Sequence, residues 1–128
     1  MTAPSVHPTI DAYFAGLSAM DWDAAVAGFA PEVHHEDPVG SPVNRSPEAA
    51  KAFFQQIGGL FRTVELRPRA SHRCGDEFAV VWDGQGVGNN GAQVAFEGVD
   101  VIALDGEGRI RSLRAYWDPA PVVGRLMG

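Results

Sequence analysis

Three helical stretches come first in this chain, and after them only strands. Thr9 to Met20 carries Ile10, Tyr13, Phe14 and Leu17 at helical spacing on one side. Asp21-Trp22-Asp23 reads as a turn and cap for a second, short helix with Trp22, Val26 and Phe29 inward, ended by Pro31. Ser46-Pro47-Glu48 opens the third, with serine at the cap and proline at the first position. Its apolar side is Ala49, Ala50, Phe53, Phe54 and Ile57, and Gly58-Gly59 stops it. A short alternating strand, Val33 to Asp37, lies between the second and third helices. Beyond Gly59 the pattern is period two: Thr63 to His72 with a bend at Pro68, Glu77 to Gly84, Gln93 to Leu104, and Ile110 to Trp117. Gly84 to Gly91 holds four glycines and two asparagines and predicts a mobile loop, while the segment after Pro119 receives no assignment. Helices followed by hairpin-linked strands predict an α+β fold, a curved antiparallel sheet folded over its helices around a cone-shaped pocket.

At 128 residues the chain is long enough to bury a core as one domain, residues 1–128, with residues 1 to 5 read as a tail. Sixteen acidic against ten basic residues leave a net charge of −6, which argues against nucleic acid and an anionic membrane surface as partners. No basic region followed by an apolar run opens the sequence, and no apolar run approaches membrane-spanning length. Cys74 is the single cysteine, so no internal disulfide forms, which fits a cytoplasmic location. It sits at a turn without an activating neighbour and is expected to be inert.

The candidate chemistry lies on strands. Asp37 ends the strand Val33-His34-His35-Glu36-Asp37, and Pro38 cannot extend the ladder, so its carboxylate is expected at a strand end, where a proton-transfer base would be well placed. A turn-capping aspartate is the common alternative. His35 shares the strand face of Asp37, and His34 points away. Asp100 falls in the row Val94, Phe96, Gly98, Asp100, Ile102, Leu104, and an acid on so apolar a face has its pKa raised by desolvation. The opposite row, Glu97, Val99 and Val101, is the alternative inner face. Tyr13 lies on a buried helical stripe, where pattern alone favours a core tyrosine bonded to a backbone carbonyl. Trp22 and Trp82 read as core. No two histidines stand at zinc-ligand spacing on a helix, so no metal is expected.

His35-Glu36-Asp37-Pro38-Val39-Gly40-Ser41-Pro42 resembles the base-bearing segment of the bacterial ketosteroid isomerases (steroid delta-isomerases). Asp11-Ala12-Tyr13, Arg69-Ala70-Ser71-His72, Val99-Asp100-Val101, Gly108-Arg109-Ile110 and Arg114-Ala115-Tyr116-Trp117 resemble segments of that family in the same order, so the likeness spans Thr9 to Asp118. It implies the nuclear-transport-factor-2-like (SnoaL-like) cone with a deep apolar pocket. Residue by residue it implies Asp37 as general base, and Tyr13 and a protonated Asp100 as an oxyanion hole. The implied reaction moves a double bond of a ketosteroid from the β,γ to the α,β position without a cofactor. Phe29, Phe54, Phe78, Val80, Leu113 and Trp117 would be the substrate-binding walls.

The chain departs from that pattern at Phe54, where the family commonly has a tyrosine bonded to the oxyanion tyrosine, and at His35, where it is usually apolar. His35 could therefore be an auxiliary group, bonding the base or acting as a second acid or base, or a strand-end histidine with one edge in water. Relatives on the same cone that open epoxides or close polyketide rings are the alternative, as is a non-catalytic steroid or lipid binder. A homodimer is expected through the outer row Val99, Val101 and Ala103 with Ala79 and Val81.

Overall fold

The computed structural model describes residues 5–128. Of the expected tail only Ser5 is described, its hydroxyl donating to Asp11 at 2.7 Å; the rest lies outside the described residues. Helix α1 (Pro8–Ser18) is followed by α2 (Trp22–Val26), β1 (Phe29–Glu36) and α3 (Pro47–Gly58). Strands β2 (Phe61–Cys74), β3 (Glu77–Gly88), β4 (Gln93–Leu104) and β5 (Ile110–Tyr116) come next, and α4 (Ala120–Leu126) closes the order. The caps are those the sequence predicts: Asp21 accepts from Ala24 N–H at the start of α2, and Ser46 from Ala49 N–H at the start of α3.

One five-stranded sheet runs in the order β1-β5-β4-β3-β2. β2 to β5 pair antiparallel, as expected, while the edge strand β1 runs parallel to β5. The β2–β3 register shifts between Pro68 and Ala70, where a proline lacks the N–H to continue the ladder. The helices close one face of the sheet. Ile10 of α1 packs with Val33, Val80, Ile102, Ile110 and Leu113 of the strands, each fully buried. The inner row of β4 is the even one: Val94, Asp100, Ile102 and Leu104 are buried, whereas Glu97 is exposed and Val99 and Val101 are half-buried on the outer face. Among the described residues no helix is long and apolar enough to cross a membrane.

Two expectations are corrected, and one unassigned segment is placed. Phe29 does not belong to α2, which ends at Val26; it opens β1, and Pro31 sits exposed within that edge strand, where a missing N–H is tolerated. The segment after Pro119 is helical, with Val122 and Leu126 packed on Phe61 and Val94. The predicted Gly84–Gly91 loop is instead the end of β3, which runs to Gly88 and pairs with both neighbours before a short turn. The glycines there answer close approach, not mobility. A Cβ on Gly84 would meet the Phe96 ring at 2.5 Å, and one on Gly86 would meet the Thr63 carbonyl oxygen at 2.7 Å. Missing side chains on β3 let neighbouring rings lie flat over the strand.

A mobile loop would accept a methyl group at position 86 almost without cost. In this sheet Gly86→Ala is expected to lose roughly 1–3 kcal/mol, read from the urea midpoint, although alanine has the lower unfolded-state entropy.

Candidate active site

Between α1, α3 and the inner sheet face lies a pocket of about 590 Å³, its mouth included. Its walls are mostly apolar side chains, among them Trp22 beside α3, Phe53 and Phe54 on α3, Phe61, Trp82 and Phe96 on the sheet, and Trp117 beyond β5. Three polar side chains open into it: Tyr13, Asp37 and Asp100. These are the three residues singled out above, and they come from α1, the turn after β1, and β4.

Asp37 follows the last residue of β1 and precedes Pro38 through a cis peptide bond. The turn behind it is held from both sides. Glu36 accepts from Gly40 N–H at 2.8 Å and from Arg114 Nε at 3.1 Å, contacts that hold its carboxyl down to about 2. Val39 N–H donates to the Ala115 carbonyl at 2.8 Å. Asp37 therefore enters the pocket from a pinned backbone. Its Oδ1 accepts from Trp117 Nε1 at 2.7 Å. Burial pushes its carboxyl up to about 6, and the indole N–H opposes that shift.

Asp100 is 3% exposed, and its Oδ1 accepts from Trp82 Nε1 at 2.9 Å. Burial first, then the nearby Asp37 charge, drive its carboxyl well above the ordinary range; the Trp82 N–H only partly offsets them. Tyr13 is 3% exposed, and its hydroxyl has no hydrogen-bond partner among the described residues. The ring packs edge-on to Phe14 and tilted to Phe29 and Phe54. Burial, Asp100 and Asp37, in that order, hold its pKa well above 10, so the hydroxyl keeps its proton and faces the pocket as a free donor. At neutral pH the site thus offers one carboxylate, one carboxylic acid and one phenol in an apolar cavity.

Of the six walls expected from the resemblance, Phe54 and Trp117 line the pocket, whereas Phe29, Phe78, Val80 and Leu113 are buried in the core beneath it. His35 is fully buried and lies behind Asp37, with Nε2 3.9 Å from Asp37 Oδ2. The indole donors escaped the sequence reading. Trp82 lies diagonally across the β3–β4 ladder from Asp100, paired with Gly98. A Cβ on Gly98 would stand 2.6 Å from the Trp82 ring and 2.9 Å from Trp117 Cβ. A glycine two residues before a buried acid was the available signal that bulky groups converge there. Among the described residues no group of three or more His, Cys, Asp or Glu side chains is placed to hold a metal ion.

Residues 10–113 match the model of the SnoaL-like domain. The chain belongs to the SnoaL-like family. A steroid delta-isomerase of Nocardioides simplex is 34% identical to it over 104 residues, 78% of this chain and 80% of that protein. Among solved structures, the SnoaL-like chain superposes on a putative polyketide cyclase of Xanthomonas campestris with a TM-score of 0.81 at 20% identity, covering 93% of this chain and 94% of that one. It also superposes on SalBIII, an epoxide hydrolase/cyclase-like enzyme in salinomycin pyran ring formation, with a TM-score of 0.76 at 27% identity, covering 88% and 90%. The nuclear-transport-factor-2-like α+β cone predicted from the sequence is therefore the fold, and it is one on which SnoaL-like proteins of different names occur.

Burying Asp37 costs stability, with a definite sign. Its folded pKa of about 6 exceeds the ordinary 3.8, so between those values the folded state binds more protons than the unfolded one. Stability falls as pH rises through that window and levels off above it, while Asp100 continues the fall to higher pH. Asp37→Asn is expected to unfold at higher urea than wild type at pH 7, by roughly 2–3 kcal/mol, and by almost nothing at pH 4.

Proposed function

We propose that this protein is a ketosteroid isomerase, a steroid delta-isomerase that moves a β,γ double bond into conjugation by intramolecular proton transfer. The observation that carries the reading is one ionisable carboxylate and two protonated donors opening into the same apolar pocket, supported by 34% identity to a protein named steroid delta-isomerase. The substrate carbonyl would accept from the Tyr13 hydroxyl and the Asp100 acid. Both bonds strengthen as the oxygen becomes a dienolate, so they lower the barrier to breaking the neighbouring C–H bond. Asp37 takes that proton and returns it two carbons along. A flat hydrophobic ring system matches walls made largely of aromatic rings. No cofactor is needed for this proton transfer. We also propose a homodimer, joined by the half-buried outer row Ala79, Val81, Val99 and Val101, without the expected Ala103, which is already buried within the protomer; size-exclusion at native ionic strength yielding only monomer overturns it.

A second reading has one observation in its favour. The 27% identity to the SalBIII enzyme accompanies a carboxylate and a carboxylic acid in one pocket, a pair suited to opening an epoxide. In that reading Asp100 protonates the leaving oxygen, and Asp37 activates the attacking hydroxyl.

The ultraviolet absorbance of a β,γ-unsaturated ketosteroid separates the two. Isomerisation raises the conjugated-enone band. Asp37→Asn abolishes the rise, and Tyr13→Phe or Asp100→Asn slows it by about 10²–10³-fold each. Because the base must be ionised, kcat/KM should climb with pH through about 6 to a plateau. Binding of a phenolic steroid without any enone formation would move the assignment to the epoxide-opening reaction.

A further inference from the structure

Behind the base lies a polar group that the proposed reaction does not use. His35 is fully buried, and its Nε2, shut off from the pocket, lacks a hydrogen-bond partner among the described residues. Buried polar atoms of that kind are rare, and each calls for a physical reason. Asp37 Oδ2 stands 3.9 Å from it. That is the carboxylate oxygen Trp117 leaves free, since the indole N–H donates to Oδ1 at 2.7 Å.

The ring is aimed, and its other end is fixed. His35 and Asn44 form an isolated bridge, with His35 N–H donating to the Asn44 carbonyl at 2.9 Å and Asn44 N–H returning to the His35 carbonyl at 2.8 Å. The bridge folds the Pro38–Pro42 turn back onto β1 and places Asn44 Nδ2 3.0 Å from His35 Nδ1. An amide nitrogen can only donate, so Nδ1 accepts, and the ring proton sits on Nε2, facing Asp37. Phe29, Phe53 and Phe54 enclose the imidazole, with ring centroids 5.1–5.7 Å away. In that apolar sleeve it stays neutral, its pKa lowered to about 4 by burial and then by His34.

We propose that His35 is a positioning residue for the base, held by Asn44 at Nδ1 and closing through its Nε2–H onto Oδ2 when Asp37 is ionised. A movement of about 1 Å brings the pair to hydrogen-bond distance. The carboxylate then carries one N–H donor on each oxygen, Trp117 and His35, which fixes its plane and leaves the remaining lone pairs toward the pocket. His35 does not line the pocket, so it acts through Asp37 and does not meet the substrate. The other groups facing Asp37 are the Asp100 acid from β4 and the Tyr13 hydroxyl from α1; α3 faces the pocket with Phe53 and Phe54, which carry no charge. His35 is thus the donor on this side that favours the ionised form. The catalytic consequence rests on the isomerase reading of Asp37; the contact itself does not.

The test therefore uses ligand-free protein labelled with ¹³C and ¹⁵N, following the Asp37 carboxyl carbon and the His35 ring nitrogens between pH 5 and 9. The expected result is a neutral His35 with its proton on Nε2, whose signal moves at the Asp37 midpoint. His35→Leu should raise that midpoint by about one pH unit, and His35→Gln, which keeps a donor in place, should restore it. A proton on Nδ1, a His35 signal indifferent to Asp37, or an unchanged midpoint in a folded His35→Leu variant overturns the proposal. Should His35→Leu fail to fold, the wild-type spectra alone decide. An inactive enzyme with these titrations intact counts against the isomerase reading only, and an active one without them counts against His35 only.

Discussion

Two carboxyl groups share one apolar pocket, and everything else in the site follows from keeping both there. Asp37 and Asp100 are each met by a single indole N–H, from Trp117 and Trp82. One donor does not replace the water that burial removes, so both groups shift toward the protonated form. They cannot be ionised together cheaply, and ionising Asp37 drives Asp100 further up. The site thereby sorts two chemically identical side chains into a carboxylate and a carboxylic acid. Asp37, nearer the pocket mouth with 11% of its side chain exposed, is the one that gives up its proton first.

The two tryptophans that meet these carboxyls are placed by the sheet. The inner row of β3 is bulky at one end, with Phe78, Val80 and Trp82, and bare at the other, with Gly84, Gly86 and Gly88. Over the bare end lies Phe96, and α4 packs Leu126 toward Gly88. Phe96 and Trp117 are packed against both the main core and the smaller cluster under α4. Helix α4 is therefore coupled to the indole that holds Asp37.

Much of this was legible in the sequence, for reasons that differ by residue. Asp100 stood out because its period-two row is the more apolar of the two, which favours that face as the inner one over the row Glu97, Val99 and Val101. Asp37 was legible through Pro38, which follows the end of β1 at Glu36, although Pro31 within β1 and Pro68 within β2 do not stop theirs. Tyr13 was legible only through the resemblance, since a tyrosine on a buried stripe ordinarily bonds a backbone carbonyl, and here it bonds none among the described residues. The indole donors were hidden because a tryptophan on an inner row reads as packing; its N–H direction depends on a diagonal offset across two strands. Asn44 was hidden for a longer-range reason, as it reaches His35 only after the turn folds back on β1. The Gly84–Gly91 segment misled because glycine serves both flexibility and close approach, and only the rings that cover it separate the two uses.

What the pocket can bind is narrowed by where its polar atoms are. Almost the whole lining is aliphatic or aromatic, and the polar groups are one phenol and two carboxyls. Among the described residues no lysine or arginine opens into it, so a phosphorylated or carboxylated ligand would enter without a counter-charge, next to an aspartate that repels it. A neutral molecule with one oxygen does better: it can take the Tyr13 proton, for which no described residue competes, and lay its hydrocarbon on the rings. Phe54 matters here. With no hydroxyl beside it, Tyr13 has its whole hydrogen-bonding capacity available to the ligand, at the cost of a neighbour that would have polarised it further. The arrangement favours tight engagement of one oxygen atom over a longer proton network. That suits an enolate whose charge develops on a single atom.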